Sequence, residues 1–322
     1  MSKENPKVLV TGVGAIIGYG IIESLRQTDS GCFVLGVDIY EECFGKHISD
    51  VFVQVPLTSD PKYISVIQEL LQEYEIELII PGIEQDLYFF SENRDLFDVN
   101  IVLNNIDLIQ LSKDKYLMFN YLRNLSASYV IPSFLSLDYD SAKSLLGLPF
   151  IIKPKKSYAS KGFFVIKNED DYFLAKNSVN EDTIFQPYIG DADSEYTVSV
   201  FGDGNGGIVD GLILRRYLSK AGASERAYTV PSDIHLETAV FDLVKIFKPV
   251  GPTNFQFRKQ HSEVFLLEIN PRISSACSIR SKFGYNEPAL CVQYYLDNKN
   301  CIVLPKKSGS AIRYIADRIV YE

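Results

Sequence analysis

The sequence predicts an α/β front domain built on a parallel sheet, followed by an α+β region built on antiparallel strands. Over about the first third of the chain, apolar strand-like runs alternate with amphipathic helical stretches, which is typical of a parallel sheet covered by helices on both faces. The second half instead has alternating strands joined by short polar turns. A chain of 322 residues also exceeds one ordinary core and suits two or three subdomains.

The elements of the front domain follow one another in a regular order. Residues 7–11 are a short β-rich apolar run, and residues 33–38 and 77–81 repeat that pattern. Between the last two runs, the stretch from Tyr63 to Tyr74 carries its apolar residues on one helical stripe. Strand, helix and strand therefore alternate as a parallel sheet requires.

A glycine-rich turn after the first strand leaves two interpretations open. Gly12, Gly14 and Gly18 lead into a helical stripe, and Asp38 ends the next strand. Such a turn could hold the pyrophosphate of a dinucleotide at a helix N-terminus, with Asp38 on a ribose. However, the spacing GxGxxxG departs from the stricter GxGxxG, and close strand–helix packing needs the same turn. This segment alone favours neither interpretation.

Composition narrows the class of protein. The formal net charge of −9 and a pI near 5.0 argue against a nucleic-acid-binding face. No apolar run reaches membrane-spanning length and no apolar signal segment opens the chain, so we expect a cytoplasmic protein. The five cysteines have no metal-like spacing and are expected to be reduced packing residues, including Cys277.

The middle of the chain predicts a phosphate-covering flap. Residues 150–154 form an apolar strand with Lys153 near its end, residues 157–162 form a loop of mostly small residues, and residues 163–166 form another strand. Backbone N–H groups in such a strand–loop–strand unit can cover phosphates. By itself Lys153 could equally be an ordinary lysine at a strand end.

The most informative segment is the hairpin that ends at residue 272. Glu268 and Asn270 lie two apart on a strand and share a face, while Phe265, Leu267 and Ile269 are expected on the opposite face. Gln256 on the preceding strand reaches the Glu268 face if the hairpin loop has an odd number of residues, for example 259–263.

These three side chains together predict a metal site. Mg²⁺ prefers oxygen ligands and takes few of them from a protein when a nucleotide supplies the others. Gln256, Glu268 and Asn270 would supply such oxygens, to Mg²⁺ or to Mn²⁺. Arg272 follows one step further along and can fork onto phosphoryl oxygens.

In their order along the chain, these pieces resemble the ATP-grasp superfamily. The front domain resembles the Rossmann-like pre-ATP-grasp domain of members similar to the carbamoyl phosphate synthase large chain. The resemblance implies a front domain over residues 1–112, a small ATP-grasp subdomain over 113–188 and a large subdomain with the metal site over 189–322. It rests on the following residues: Asp114–Lys115, Lys153–Pro154, the flap, Gln186 to Ile189, Glu195, and Glu268 to Arg272.

The resemblance also implies roles for individual residues. Lys115 and Lys153 would contact the α- and β-phosphates of ATP, and Ser160, Lys161 and Gly162 would close over it. The adenine would lie on the hinge formed by Gln186, Pro187, Tyr188 and Ile189, and Glu195 would hold the ribose. Lys153 and Arg272 are the candidate catalytic residues, together with Arg215; whether Arg215 or Arg216 reaches the site stays open.

The implied reaction is ATP-dependent activation of a carboxylate as an acyl phosphate, followed by attack of an amine. This agrees with the lack of triad-like or metal-like spacing among His47, His235 and His261. The first substrate class to consider is an amino acid. Alternatives are amidation of a sugar acid in surface-polysaccharide synthesis, a non-catalytic ATP-binding sensor, and a nicotinamide-dependent oxidoreductase or epimerase. Small-molecule partners are expected, and a homodimer by resemblance.

Overall fold

The computed structural model describes residues 5–28, 31–156, 162–218, 224–297 and 300–319. These residues form a five-stranded, a three-stranded and a six-stranded sheet. Across the described ranges, no helix is long and apolar enough to cross a membrane.

The front domain is the predicted parallel sheet with helices. Its strands are β1 (Lys7–Thr11), β2 (Phe33–Asp38), β3 (Val51–Gln54), β4 (Leu78–Ile80) and β5 (Asn100–Ile101), in the order β3-β2-β1-β4-β5, all parallel. Its helices are α1 (Ile16–Leu25), α2 (Tyr63–Glu73) and α3 (Glu84–Glu92).

Both faces of this sheet are covered, which explains why its strands are continuous apolar runs. On β1, Val8 and Val10 pack into the core that contains α1, whereas Leu9 packs with α2 on the other face. The strand order reverses between β1 and β4, and ligands of such sheets bind at the carboxyl ends of the strands at that point.

The middle region is a small antiparallel sheet with helices around it. Helices α4 (Ile106–Ser112), α5 (Lys115–Asn124) and α6 (Tyr139–Leu146) precede β6 (Phe150–Pro154), β7 (Phe164–Ile166), α7 (Glu169–Lys176) and β8 (Thr183–Pro187), with the strand order β7-β6-β8. Strands β6 and β7 pair antiparallel, as the predicted strand–loop–strand unit requires.

The large antiparallel sheet completes the fold. It contains β9 (Glu195–Asp203), β10 (Ile208–Leu218), β11 (Ser224–Val230), β12 (Val250–Gln260), β13 (Glu263–Asn270) and β14 (Ser310–Ile312), in the order β13-β12-β9-β10-β11-β14. Helices α8 (Ile234–Phe247), α9 (Cys277–Lys282) and α10 (Glu287–Leu296) accompany it. The prediction of a parallel front sheet followed by antiparallel sheets is confirmed.

Helix α1 joins the front domain to the large sheet. Its Ile21 and Leu25 belong to the same buried cluster as Cys277 of α9 and Cys291 of α10. This packing places the start of α1 beside the carboxyl end of β13. The predicted boundary between residues 112 and 113 falls between α4 and α5, and the one after residue 188 falls just past β8; both remain predictions.

Candidate active site

A cleft of about 430 Å³ lies where the three regions meet, a size within the range of small-molecule sites. It brings together most of the residues that the sequence singled out. Those lining it are Lys115, Lys153, Gln186, Pro187, Tyr188, Ile189, Glu195, Gln256, Glu268, Asn270 and Arg272.

Strand β13, which carries Glu268 and Asn270, borders the cleft, and it contains a bulge that strict alternation does not predict. The hairpin loop has two residues, His261 and Ser262, because Gln260 pairs with Glu263; the example of an odd loop over 259–263 is therefore wrong. Gln256 still pairs with Glu268, because the register shifts by one residue between Gln256 and Phe257.

The bulge also changes which side chains face the core. Leu266 and Ile269 are buried in the core of the large sheet, whereas Leu267 lines the cleft beside Glu268. The prediction that Leu267 lies opposite Glu268 is therefore wrong. The extra residue on β13 lets Leu267 and Glu268 both border the cleft.

Glu268 is a carboxylate held in its charged form. Burial alone raises the pKa of Glu268, but Lys115, a hydrogen bond from Asn270, and the cations Arg216 and Lys153 together bring it below its ordinary value. The Asn270 side-chain amide donates to Oε1 of Glu268 at 3.1 Å. The amide oxygen of Asn270 is thereby turned away from Glu268.

The two predicted lysines reach the same cleft from different elements. Asp114 caps α5 by accepting hydrogen bonds from the N–H groups of Tyr116 and Leu117, which fixes the first turn that carries Lys115. Nζ of Lys115 lies 4.0 Å from Oε2 of Glu268. On β6, Lys153 is buried, and burial together with the charge of Lys115 lowers its pKa to about 7.

The segment from Gln186 to Ile189 forms one wall of the cleft. The amide of Gln186 donates to the hydroxyl of Ser133 at 2.5 Å. Its oxygen Oε1 is buried and has no hydrogen-bond partner among the described residues. Buried acceptors are rarely left unpaired in native proteins, so this oxygen marks a place for a ligand donor.

Glu195 lies between two arginines. Nη2 of Arg216 is 2.8 Å from its Oε1, and Nη2 of Arg258 is 3.5 Å from its Oε2. Arg258 also donates to the carbonyl of Ile189 at 3.1 Å, linking this ion pair to the cleft wall. Both carboxylate oxygens of Glu195 thus face guanidinium groups, which positions the two arginines; that Glu195 holds the ribose stays a prediction.

The structure selects Arg216 over Arg215. Arg215 points to the other face of β10, where it donates to the carbonyl of Asp193 at 2.8 Å and to the hydroxyl of Tyr217 at 2.7 Å. The prediction that Arg215 is catalytic is therefore not supported.

Of the predicted flap residues, Ser160 and Lys161 lie outside the described residues. Gly162 is described with a φ of 73°, and it does not line the cleft.

Arg272, just past the end of β13, links this strand to the front domain. Its Nη2 lies 3.3 Å from Oε2 of Glu84, at the start of α3. Its Nε is buried without a hydrogen-bond partner in the described part of the chain. Glu84 is thus paired with an arginine. Asp86 is buried, and this burial raises its pKa to about 6.

The glycine-rich turn of the front domain is closely packed, and its contacts are made by other residues of the chain. A Cβ at Gly18 would lie 2.1 Å from the carbonyl oxygen of Gly12, so close packing of β1 and α1 requires glycine there. Asp38 accepts from the N–H of Gly14 at 2.7 Å and from that of Tyr40 at 3.0 Å. These contacts favour the packing interpretation over a dinucleotide site.

The donor set fits one hard divalent cation. Glu268 offers a carboxylate, and rotation of the Asn270 amide, whose NH₂ group donates to Glu268 in this structure, would add an amide oxygen, as oxygen-preferring Mg²⁺ requires. The oxygen of Gln256 accepts a hydrogen bond from Arg216 and keeps a second lone pair, so Gln256 as a third ligand stays a prediction. Among the described residues there is no cluster of three or more His, Cys, Asp or Glu that could hold a metal. A bound ligand would have to supply the remaining coordination.

The sequence reasoning missed several lining residues. Arg258 could have been predicted, because it lies two residues after Gln256 on β12 and therefore on the same face of the strand. Ser274 and Ser275 follow Arg272 in an irregular segment, where no periodicity marks them. Ile16 and Ile17 enter the cleft only because α1 packs against α9. Cys277 is buried with its pKa raised to about 12, as expected of a packing thiol.

Comparison with protein-family models gives two matches. Residues 180–318 match the model described as "ATP-grasp in the biosynthetic pathway with Ter operon". Residues 8–103 match "PylC-like, N-terminal domain". The two matched segments are thus similar to a PylC-like N-terminal domain and an ATP-grasp domain, and the resemblance indicated by the motifs is confirmed.

Individual relatives agree with this assignment. The chain is 23% identical over 301 residues to the carbamoyl phosphate synthase arginine-specific large chain of Halalkalibacterium halodurans; the match covers 87% of this chain but only 28% of that protein. Two solved structures share the fold. One is N5-carboxyaminoimidazole synthetase from Staphylococcus aureus complexed with ADP, with a TM-score of 0.73, 18% identity and coverage of 95% and 80% of the two chains. The other is L-amino acid ligase from Bacillus licheniformis. Its TM-score is 0.65 and its sequence identity is 15%, and the match covers 93% of this chain and 76% of that chain.

Proposed function

We propose that this chain is an ATP-dependent ligase that activates a carboxylate as an acyl phosphate and joins it to an amine. The observation that carries the proposal is the meeting of Lys115, Lys153, Glu268, Asn270 and Arg272 in one cleft. Two lysines, an arginine and a carboxylate–amide pair are the groups that phosphoryl transfer from a metal-bound nucleotide requires.

The nucleotide is ATP in this proposal, and its adenine lies along residues 186–189. Oε1 of Gln186, which has no partner in the part of the chain that the structure describes, would accept the exocyclic amino group of the base. A structural relative is described as complexed with ADP. Lys115 and Lys153 then bind the phosphates, and Glu268 with Asn270 holds the cation. The Mg²⁺, or Mn²⁺ in its place, neutralises phosphate charge when bound.

Arg272 faces the developing charge on the transferred phosphoryl group in this mechanism. Its Nε has no partner in the described part of the chain, and Glu84 holds the other end of the guanidinium. Such a preorganised cation stabilises the transition state without reorganising. Leu267 and Ile131 supply apolar wall, which helps to keep water from the acyl phosphate.

An amino acid is the first carboxylate to test, since a structural relative is named an L-amino acid ligase. Amidation of a sugar acid is the second candidate. A homodimer stays our expectation for the assembly. The rival oxidoreductase interpretation leaves Lys153 and Glu268 without a role and requires Asp38, which backbone N–H groups already occupy.

The test is release of ADP from Mg·ATP across a panel of carboxylates and amines, with Glu268→Ala as the control. Release that requires one acid and one amine, and that the variant loses, supports the ligase and identifies its substrates. Tight ATP binding without release from any pair favours a nucleotide sensor. Binding of NAD in place of ATP overturns the proposal.

A further inference from the structure

We propose that two copies of this chain form a dimer by pairing their C-terminal arms, residues 313–319, antiparallel about a two-fold axis. The arm follows β14 (Ser310–Ile312), the outermost strand of the large sheet. The inference goes beyond the proposed reaction and does not depend on it. It gives the expected homodimer a defined surface.

The arm exposes large apolar side chains. Tyr314, Ile315 and Ile319 are 85%, 96% and 67% exposed, and Ile312 at the end of β14 is 70% exposed. A single apolar residue on a surface needs no explanation, but a patch of them marks an interaction site. A partner strand that covered these side chains would be held by the hydrophobic effect.

The outer edge of β14 also offers backbone groups to a partner. The N–H of Arg313 donates to the carbonyl of Glu225 at 2.8 Å, so Arg313 turns its backbone groups towards β11. Backbone groups of neighbouring residues in a strand point in opposite directions, so those of Ile312 and Tyr314 point away from β11. In the described part of the chain, β14 pairs with β11 alone. Such an edge is a template for another strand.

The order of charges in the arm selects a second copy as that strand. Arg313 and Asp317 lie symmetrically about Ile315. Among antiparallel pairings of two arms, only the one centred on Ile315 places Arg313 of each copy directly opposite Asp317 of the other. Opposite charges at such positions stabilise a strand pair, whereas like charges destabilise it. Because each chain has a formal net charge of −9, two copies repel on average and need matched charges where they meet.

The backbone agrees with the same register. A pairing centred on Ile315 places Tyr314 opposite Ala316 and Ile312 opposite Arg318. These are the even-numbered residues, whose backbone groups point to the free edge if the arm continues β14. The two requirements, matched charges and available hydrogen bonds, are thus met by one register.

The pairing closes at two subunits and adjoins the cleft. The same strand of both copies takes part, so neither copy keeps a free edge at β14 after pairing. The guanidinium of Arg313 donates to the carbonyl of Ser275, which lines the cleft. The dimer would therefore support one wall of each cleft through the arm.

Sedimentation velocity of the full chain without nucleotide measures the assembly. We expect a dimer whose population rises with concentration, as mass action requires. Asp317→Arg places like charges opposite each other and should give a monomer where the wild type is a dimer. Asp98→Arg makes the same charge change at an exposed residue of the front domain and should stay dimeric.

Mixing two single variants tests the register itself. Arg313→Glu and Asp317→Arg each bring like charges together in their own dimers, so each variant alone should be monomeric. In a mixed dimer, positions 313 and 317 carry opposite charges at both crossings, so the mixture should recover the dimer. Loss of folding in either variant could not produce this recovery.

A wild type that is monomeric at every concentration would overturn the proposal, and so would a dimer that both variants retain. Monomeric variants that stay monomeric when mixed would overturn the pairing centred on Ile315. If Arg313→Glu does not fold, Ile315→Glu replaces it, because that side chain is 96% exposed; a dimeric Ile315→Glu would also overturn the proposal. Since no nucleotide is present, none of these outcomes bears on the proposed function.

Discussion

Lys153 is the residue whose charge is most finely balanced in the cleft. It is buried on β6 beside Lys115, and both effects lower its pKa to about 7. Glu268 opposes them only in part. A lysine that is half charged near neutral pH makes its phosphate binding sensitive to pH in the free protein.

Nucleotide affinity should therefore fall as the pH rises through about 7. Below this pKa the ammonium group is present and binds phosphate. Above it, the amine must take up a proton before it can bind phosphate, which weakens nucleotide binding about tenfold one pH unit above the pKa. Calorimetric titration of a non-hydrolysable ATP analogue between pH 6 and pH 8 measures this change.

Lys153→Arg separates this effect from titration of the nucleotide itself. Arginine keeps its charge over the whole range, so the part of the pH dependence that comes from Lys153 should disappear. The same pH profile in the wild type and in the variant would show that Lys153 does not bind the phosphates in its charged form.

For individual residues, the sequence predicts membership of the site when the residues belong to one short motif. Glu268 and Asn270 lie on one strand and Arg272 lies two residues past its end, so their common position needs no tertiary information. The choice between Arg215 and Arg216 was different. Neighbouring residues of a strand face opposite sides, and only the pairing of β10 with β9 decides which side is the cleft.

The first turn of α5 is the element on which the position of Lys115 depends. Asp114 caps this helix through two backbone N–H groups. Asp114→Ala should lower the free energy of unfolding by about 1 kcal/mol, the usual value of an N-cap. It should also weaken binding of the ATP analogue, because Lys115 follows the cap directly. Urea denaturation and calorimetric titration measure the two effects.

A cap elsewhere in the chain provides the comparison. Asn168 caps α7 by accepting from the N–H of Asp171 at 3.0 Å, and α7 contributes no residue to the cleft. Asn168→Ala should cost similar stability and leave nucleotide affinity unchanged. Equal affinities for the two variants would mean that the cap of α5 does not position Lys115.

The bulge in β13 is the element that sequence reasoning could not supply. Strict alternation placed Leu267 opposite Glu268, but one extra residue on β13 shifts the register beside Gln256. No residue type in the segment signals this irregularity. The strand itself, its polar end and its partner β12 were all predictable from apolar patterning and the intervening polar turn.

At the scale of the whole molecule, a buried ion pair lies at the joint between α9, α10 and the large sheet. Arg280 and Glu287 are both fully buried, with Nη2 and Oε2 2.8 Å apart. Glu287 also accepts from the hydroxyl of Ser199 on β9, and Arg280 donates to Ser274 beside the cleft. The pair therefore connects the sheet to the segment that follows Arg272.

Glu287→Ala should lower the free energy of unfolding by about 3 to 5 kcal/mol, because it leaves the Arg280 charge buried without its partner. Urea denaturation measures the loss. The double variant Arg280→Met/Glu287→Leu removes both charges and should recover much of it. Glu42→Ala breaks an exposed pair with Lys46 and should leave the midpoint unchanged. A small loss in Glu287→Ala would contradict this account of the joint.

The sequence predicts the order and class of the regions more reliably than their packing. Alternating strand and helix defined the parallel front sheet, and hairpin turns defined the antiparallel one. That α1 packs on α9 and α10 depends on contacts more than two hundred residues apart, such as Asn286 donating to the carbonyl of Ser24. Local periodicity carries no information on such contacts.

Magnesium-dependent binding of a non-hydrolysable ATP analogue is the most direct test of the central claim that this cleft is the nucleotide site. We predict tight binding by the wild type, a large loss in Glu268→Gln, and no change in Glu263→Gln, whose glutamate is exposed at the start of the same strand. Equal affinity in the two variants would mean that Glu268 does not hold the metal. No binding by the wild type would contradict the account as a whole.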